Sequence, residues 1–173
     1  MYIDLLQLEQ DELRISHQYG EQFEMNDPSV QVVSAPAIAL RLQRAVGREV
    51  RVRGRLTAKV EVPCDRCLSC VEFPVSVTLD LFYAPIEVLT PDQDVPLMPQ
   101  DLDYGFYRDN VLDVDVLVRE QILLALPFRR LCQPECRGLC PSCGADLNKE
   151  VCACAQKPVA PHWAVLQQLK NRG

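Results

Sequence analysis

The spacing of the cysteines constrains the fold of this chain more than any other feature of its sequence. Nine cysteines occur in 173 residues, and eight of them form closely spaced groups. Two of these are upstream and six are near the C-terminus: Cys64, Cys67, Cys132, Cys136, Cys140, Cys143, Cys152 and Cys154. Thiolates two or three residues apart can bind one ion without straining the backbone between them, which is the ligand spacing of structural zinc sites. The sequence therefore predicts bound Zn²⁺.

Iron–sulfur clusters and disulfides are the alternatives, and both fit the sequence less well. The N-terminus lacks a basic start and meets Asp4 and Glu9 early, unlike a signal peptide. No apolar run approaches about 18 residues, so we expect no membrane span. Without export we expect the reducing cytoplasm, where disulfides are rare, and an odd number of cysteines also fits a disulfide framework poorly. A four-thiolate zinc has no open coordination position, so we expect a structural ion.

The eight cysteines can be assigned to zinc in two ways. One arrangement has two sites, the first formed by Cys64, Cys67, Cys132 and Cys136 and the second by Cys140, Cys143, Cys152 and Cys154. The other has one local site formed by Cys132, Cys136, Cys140 and Cys143. We favour two sites because that arrangement leaves only Cys70 as an ordinary residue. A ratio of one zinc per chain would exclude it.

Alternating apolar residues predict a long antiparallel hairpin. The alternation covers residues 50–62 and again 71–83, and a period of two is typical of a strand with one buried face. Cys64 and Cys67 would lie at the hairpin tip. Gly54, which falls in the apolar phase, indicates a bulge or a bend.

Weaker patterns complete the predicted fold. Residues 37–43 and 11–24 read as further strands, and residues 113–126 have helical spacing that ends at Pro127. Four prolines and many aspartates predict an acidic loop over about 85–109. A short helix over 163–171 would present Trp163, Leu166 and Leu169 on one side.

The predicted fold class is α+β. It consists of an antiparallel β-sheet built around the long hairpin, one packed helix and a zinc-stapled C-terminal segment. Residues 1–126 would form the sheet domain, and residues 127–173 the cysteine-rich segment with its short helix. That segment has few large aliphatic residues, so metal ligation is expected to hold it.

The charge is unevenly distributed along a chain whose net charge is −6. Residues 41–66 carry eight bases against three acids and residues 127–173 seven against three, whereas residues 1–30 and 80–120 are strongly acidic. Such asymmetry can give an acidic protein a basic face. The candidate residues for binding RNA or a partner are Arg51, Arg53, Arg55, Lys59, Arg66, Arg129, Arg130 and Arg137. The alternatives are a solvated strand face for the first four and charge compensation of zinc-bound thiolates for the others.

The sequence offers little support for catalysis. It contains no Walker A loop, G-x-G-x-x-G or HExxH motif. His17 and His162 have no recognisable nucleophile nearby. Cys64 and Cys67 join two predicted strands, whereas reactive dithiols usually lie at a helix N-terminus. We therefore predict no enzymatic activity, no catalytic residues and no small-molecule substrate.

Four segments together resemble the YceD family of large ribosomal RNA subunit accumulation proteins. They are Cys64-Asp-Arg-Cys-Leu68, Arg119-Glu-Gln-Ile-Leu-Leu-Ala-Leu-Pro127, the run Leu131–Asn148 and Pro161-His-Trp-Ala-Val-Leu-Gln-Gln-Leu169. The resemblance implies a bacterial or organellar protein needed for normal levels of large-subunit (23S) rRNA. Some family members lack part or all of these cysteines, which implies that zinc stabilises the fold instead of performing the shared function.

We therefore predict a non-enzymatic factor in 23S rRNA accumulation, processing or ribosome assembly, whose basic face contacts rRNA or pre-ribosomal large subunits. One alternative is an adaptor or chaperone whose acidic segments bind a basic ribosomal protein. A third reading is a thiol redox or metal-sensing protein, which requires a dithiol that reacts readily in the zinc-loaded chain.

Overall fold

The computed structural model describes residues 1–8, 12–45, 47–86 and 104–154. Their elements confirm the α+β class. In chain order the elements are β1 (Tyr2–Asp4), a 3₁₀ turn (Leu5–Gln7), β2 (Glu12–Gln18), β3 (Gln31–Arg44), β4 (Val50–Pro63), β5 (Cys70–Pro85), β6 (Tyr104–Tyr107), β7 (Val111–Asp113) and α1 (Val114–Ala125).

The predicted hairpin is the centre of the fold. Strands β4 and β5 pair antiparallel in regular register, from Val50 opposite Tyr83 to Pro63 opposite Cys70. Val52, Leu56 and Val60 are completely buried in β4, as the alternation predicts. The hairpin therefore has one face in the core and one, called here the outer face, turned away from it.

The five-stranded sheet has the order β2-β3-β4-β5-β6. Strand β3 extends over 14 residues and is longer than the predicted 37–43, whereas β2 covers only the first half of 11–24. Strand β6 pairs parallel with β5, so the sheet is mixed and not wholly antiparallel. A parallel pair needs a connection of about a dozen residues or more, and 18 residues separate β5 from β6 in the sequence.

Strand β6 also corrects the loop predicted over about 85–109. Residues 104–107 form that strand, and Asp109 and Asn110 turn the chain with φ of 52° and 58°. Residues 87–103 lie outside the described residues, as does the predicted helix over 163–171. Within the described ranges no helix is long and apolar enough to cross a membrane.

Gly54 marks a close approach between strands instead of the bulge or bend predicted for it. It lies in regular pairing between Leu40 and Leu79, and the register shifts are in β3, on either side of Ser34. A Cβ atom at Gly54 would lie 2.1 Å from the carbonyl oxygen of Ala39. The missing side chain therefore lets the backbone of β3 pack tightly against β4.

Helix α1 covers the inner face of the sheet. It begins at the cap Asp113, whose carboxylate accepts hydrogen bonds from the backbone N–H groups of Asp115 and Val116. Its buried side chains join the core: Val114, Leu117, Val118 and Ile122. Asp115 also accepts a hydrogen bond from the hydroxyl of Tyr19 and pairs with the N-terminal ammonium of Met1. The contacts of Asp113 and Asp115 fix where the helix begins and tie it to the N-terminus of the chain.

Candidate metal centres

The first group of four cysteines combines the hairpin tip with the segment that follows α1. The Sγ atoms of Cys64, Cys67, Cys132 and Cys136 all lie within 4.8 Å of one another. The Sγ atoms of Cys64 and Cys136 are 3.9 Å apart, and those of Cys67 and Cys132 are 3.6 Å apart. Tetrahedral Zn²⁺ with bonds of about 2.3 Å places its sulfurs about 3.8 Å apart. The spacing of this first tetrad therefore fits one ion.

Backbone hydrogen bonds shape the hairpin tip into a tight turn around the first two sulfurs. The N–H of Cys64 donates to the carbonyl of Ser69 at 2.8 Å, and the N–H of Leu68 donates to the carbonyl of Cys64 at 3.0 Å. Leu68 adopts φ of 60°, which is rare for a residue with a side chain. The turn directs both cysteine side chains to one side.

Asp65 fastens the chain after α1 to this turn. Its carboxylate accepts a hydrogen bond from the N–H of Arg130 at 2.7 Å and pairs with the guanidinium of the same residue at 3.3 Å. The N–H of Asp65 donates in return to the carbonyl of Arg130 at 2.8 Å. This two-way contact brings Cys132 and Cys136 to the hairpin tip.

The second tetrad is local in sequence. The Sγ atoms of Cys140, Cys143, Cys152 and Cys154 also lie within 4.8 Å of one another. The N–H of Gly144 donates to the carbonyl of Cys140 at 2.9 Å, and Gly144 adopts φ of 75°, which favours glycine. The turn of Cys140-Pro-Ser-Cys-Gly144 therefore has the form of a zinc knuckle.

Asn148 joins the two tetrads. Its Nδ2 donates to Cys136 Sγ at 3.3 Å and to Asp146 Oδ1 at 2.8 Å, and its Oδ1 accepts from the N–H of Arg137 at 2.8 Å. Asn148 thus belongs to the second cysteine segment while it contacts a sulfur of the first tetrad.

Gly138 provides a second link between the hairpin tip and the second cysteine segment. With φ of 75°, it lies where a Cβ would be 3.0 Å from the carbonyl oxygen of Arg66, and its own carbonyl accepts from the N–H of Leu147 at 2.9 Å. The second cysteine segment is therefore docked directly on the hairpin tip.

At least one thiol in each tetrad is held in an environment that favours the thiolate. Burial alone raises the pKa of Cys64, but N–H groups of Arg66, Cys67 and Cys132 directed at its sulfur lower the pKa to about 6. In the second tetrad, the N–H groups of Cys143 and Ser142 lower the pKa of Cys140 to about 6. Since metal ions bind thiolates, Cys64 and Cys140 are suited to bind a cation.

The two tetrads differ in exposure. Cys64, Cys67 and Cys136 are buried, with exposed fractions of 0%, 7% and 1%. In the second tetrad Cys143 and Cys154 are exposed. The remaining cysteine, Cys70, begins β5 on the surface and belongs to neither group.

The four-thiolate donor sets fit the zinc ion that the sequence predicts. The geometry groups the eight cysteines as the two-site arrangement does, and it separates the four residues of the one-site alternative into different tetrads. Two groups that could each hold a metal ion are thus present in the described part of the chain.

The predicted basic residues fall into two regions. In the first, on the outer face of β4, Arg51 and Arg53 both pair with Asp80, at 2.7 and 3.3 Å. Lys59 pairs with Glu72, and Arg55 is exposed.

The second region surrounds the first tetrad. There Arg66 donates to the carbonyl of Cys136 at 2.7 Å, Arg130 contacts Asp65, and the side chains of Arg129 and Arg137 are exposed.

Several residues in these arrangements were not identified from the sequence. Arg14 and Arg41 lie on the outer face beside Arg53, because Arg41 pairs with Arg14 on one side and with Arg53 on the other. The alternating pattern could have placed both arginines on the exposed face of their strands, but the strand register that brings them together is not readable from the sequence. Nothing in the sequence pattern indicates the roles of Asn148 and Asp65.

Comparison with known proteins decides the family. A family model described as "Large ribosomal RNA subunit accumulation protein YceD" matches residues 52–170, which is more than half of the chain. The chain belongs to the YceD family. The matched region contains nearly all of the central hairpin, α1 and both tetrads, so the resemblance carried by the cysteine-rich segments is confirmed.

Relatives of this YceD-family chain occur in bacteria and plants. It is 29% identical to the uncharacterized protein Rv2926c of Mycobacterium tuberculosis, over 92% of this chain and 79% of that protein. It is 27% identical to the uncharacterized protein YlbN of Bacillus subtilis, over 69% of this chain and 73% of that protein. A maize relative named "Large ribosomal RNA subunit accumulation protein YCED homolog 1, chloroplastic" is 38% identical over 29% of this chain and 17% of that protein. No solved structure shows a significant match.

Proposed function

We propose that this protein is a non-enzymatic factor that supports the accumulation of large-subunit rRNA, through processing or ribosome assembly. Membership of the YceD family carries the proposal, because the family is described by that role. The proposed place of action is the cytoplasm, and the proposed partner is rRNA in a pre-ribosomal large subunit.

The proposed contact with rRNA is electrostatic and uses the outer face of the sheet. Arg51, Arg53, Arg55 and Lys59 project from one side of β4, where their charges are accessible to phosphates. Phosphate contacts of this kind supply much of the affinity of nucleic-acid-binding proteins and weaken with salt. Asp80 and Glu72 offset part of this charge.

Zinc would have a structural role in this function. Each tetrad would hold one Zn²⁺, coordinated in the first by Cys64, Cys67, Cys132 and Cys136 and in the second by Cys140, Cys143, Cys152 and Cys154. The ion would supply cross-linking that the segment after α1 cannot obtain from burial, since among its described residues only Leu131 and Leu139 are aliphatic side chains packed on the small cluster at the hairpin tip. The arginines around the first tetrad would offset the negative charge of its thiolates.

The test is association with pre-ribosomal particles in cells. The variant Arg51→Glu/Arg53→Glu/Arg55→Glu/Lys59→Glu should no longer co-sediment with these particles, while circular dichroism and zinc content stay unchanged. A control, Arg108→Glu/Lys149→Glu, reverses exposed charges away from β4 and should co-sediment normally. Unchanged co-sedimentation of the β4 variant would refute contact through this face.

Two outcomes would favour other readings. Recovery of a basic ribosomal protein without rRNA would support the acidic adaptor. Rapid alkylation of any tetrad cysteine in the zinc-loaded protein would support a thiol-reactive role, because zinc-bound thiolates should be protected.

A further inference from the structure

The outer face of the sheet carries a row of like charges that the fold itself does not need. Arg14, Arg41 and Arg53 occupy directly paired positions on β2, β3 and β4. Side chains at such positions have Cβ atoms about 5 Å apart, and like charges there destabilise a sheet. A row of three arginines is therefore a cost to folding, which a bound polyanion would relieve.

The acids beside this row neutralise only part of it. Glu12 lies 2.5 Å from the guanidinium of Arg14 and 3.4 Å from that of Arg41, and Asp80 lies 3.3 Å from that of Arg53. Around these two carboxylates the same face also carries Arg51 and Arg55. Five arginines thus surround these two acids, and the excess charge within this group is positive, whereas Glu61 and Glu72 lie on the same face nearer the hairpin tip.

The other edge of the same face is aromatic. The parallel register places Tyr104 beside Phe82 and Phe106 beside Ala84, so the three rings share the outer face. The rings of Phe82 and Tyr104 are 5.8 Å apart, and Phe106 is 43% exposed. The alternate residues Tyr83 and Tyr107 are buried in the core. The sheet is therefore stabilised by its inner aromatic residues, and Phe106 is exposed without a comparable packing role.

One contact joins the basic row to this aromatic edge. The guanidinium of Arg51 lies 4.8 Å from the ring centre of Phe82 while its Nε and Nη2 donate to Asp80. The row and the rings lie on neighbouring strands of this face, with Arg51 and Asp80 between them. A flexible chain that crosses the sheet can therefore contact charge on β2 to β4 at one end of its path and rings on β5 and β6 at the other.

We infer that the outer face binds single-stranded RNA, with phosphates on the row Arg14, Arg41 and Arg53 and unpaired bases against the edge formed by Phe82, Tyr104 and Phe106. The inference rests on the proposed function and specifies the kind of RNA. Rings can stack only on bases that are free of a duplex, and a flat sheet cannot enter the deep, narrow groove of double-stranded RNA. A basic surface next to exposed rings is the usual composition of a single-strand site.

The test compares one RNA sequence in two forms by fluorescence anisotropy. The zinc-loaded full chain is titrated with a labelled RNA of about 16 nucleotides, single-stranded or annealed to its complement. We expect at least about tenfold tighter binding of the single strand. Arg14→Gln/Arg41→Gln/Arg53→Gln should reduce the slope of log K against log salt by about 2, since each single-strand phosphate contact contributes about 0.7. Lys149→Gln is the control, because it removes one exposed charge away from the sheet, and it should change the slope little.

The aromatic edge is tested separately. Phe106→Ala should weaken single-strand binding about fivefold to a hundredfold, the usual range for loss of one base stack, and should leave duplex binding unchanged. Phe128→Ala is the control, because Phe128 is fully exposed outside the sheet. Equal binding of both RNA forms, or equal effects of the two phenylalanine variants, would refute the inference.

Failure of the inference and failure of the proposed function give different results. If the chain co-sediments with pre-ribosomal particles but binds no single-stranded RNA, the inference is wrong and the proposed function stands. If the chain binds single-stranded RNA through these residues but never associates with the particles, the proposed function is wrong. Capture of an acidic protein by the arginine row, with no RNA bound, would overturn the inference in favour of a protein partner.

Discussion

Replacing Asn148 should weaken metal binding at the first tetrad, although this residue is in the second cysteine segment. Its side chain donates to Cys136 Sγ and Asp146, and accepts from the N–H of Arg137 and, at 3.3 Å, from the side chain of Gln133. Asn148→Ala removes all of these contacts. Asn148→Asp keeps the acceptor for Arg137, but it replaces the donor to the sulfur with a second negative charge.

The expected magnitude follows from the hydrogen bond to the sulfur. A bond to a charged group contributes about 1.5–3 kcal/mol, which corresponds to roughly a tenfold to hundredfold change in affinity. Asn148→Ala should therefore weaken zinc binding at the first tetrad by that factor. Asn148→Asp should weaken it further, because its carboxylate would lie beside a thiolate and beside Asp146.

The assay is competition for zinc against a chromophoric chelator. A background of Cys143→Ser/Cys154→Ser removes two ligands of the second tetrad, so the titration reports the first. Gln133→Ala is the control, since it removes only the exposed contact to Asn148. An affinity for Asn148→Asp equal to that of the unsubstituted background would refute the role of this hydrogen bond, and so would an effect of Gln133→Ala as large as that of Asn148→Ala.

Three further predictions follow from the fold. Chelation of zinc should unfold residues 132–154 before the sheet, because that segment has little apolar burial; hydrogen exchange would contradict this if the amides of β4 lost protection first. Gly54→Ala should lower the free energy of unfolding, measured by chemical denaturation, by about 3 kcal/mol, because its Cβ would meet the backbone of β3. The control Gly20→Ala should have almost no effect, because its Cβ meets nothing within 4 Å. An equal loss of unfolding free energy in both variants would contradict the steric clash at Gly54. Hydrogen bonds from Arg51 lower the pKa of Asp80 to about 2. The stabilising effect of the ionised Asp80 is therefore complete above the unfolded pKa of about 3.9 and is lost as the pH falls towards 2. The difference in Tm between the wild type and Asp80→Asn should disappear over that range, and a difference that stays constant would contradict the ion pair between Arg51 and Asp80.

The parts of the fold that the sequence predicts are those specified by local periodicity. Alternation over 50–62 and 71–83 defines both strands of the hairpin, because one-sided burial imposes a period of two. Helix α1 follows from its helical spacing, because one-sided burial of a helix imposes a period of 3.6, and Pro127 marks its end. The pairing of nearby cysteines is also local, since spacing limits which thiolates can reach one ion.

The parts that the sequence does not predict depend on contacts between distant segments. Strand β6 has only four residues, and its parallel pairing with β5 is not encoded in their pattern. The row of Arg14, Arg41 and Arg53 depends on the register of three strands, which places residues 27 and 12 positions apart side by side. A one-residue slip would move any of these side chains to the other face, so composition alone cannot identify the row.

The separation of the tetrads from the outer-face arginines argues for a division of roles between them. Arg53 and Cys64 are both on the path of β4 and its tip, 11 residues apart, which corresponds to about 36 Å along an extended strand. Arg66 and Arg130 already bond to Cys136 and Asp65 at the tip. One site of ordinary size does not reach from the arginine row to these residues. We therefore expect the basic residues near the tetrads to offset the charge of the thiolates, and the proposed RNA contact to lie on the sheet. The sheet has a core of its own and should retain its shape when the second, more exposed tetrad loses its ion.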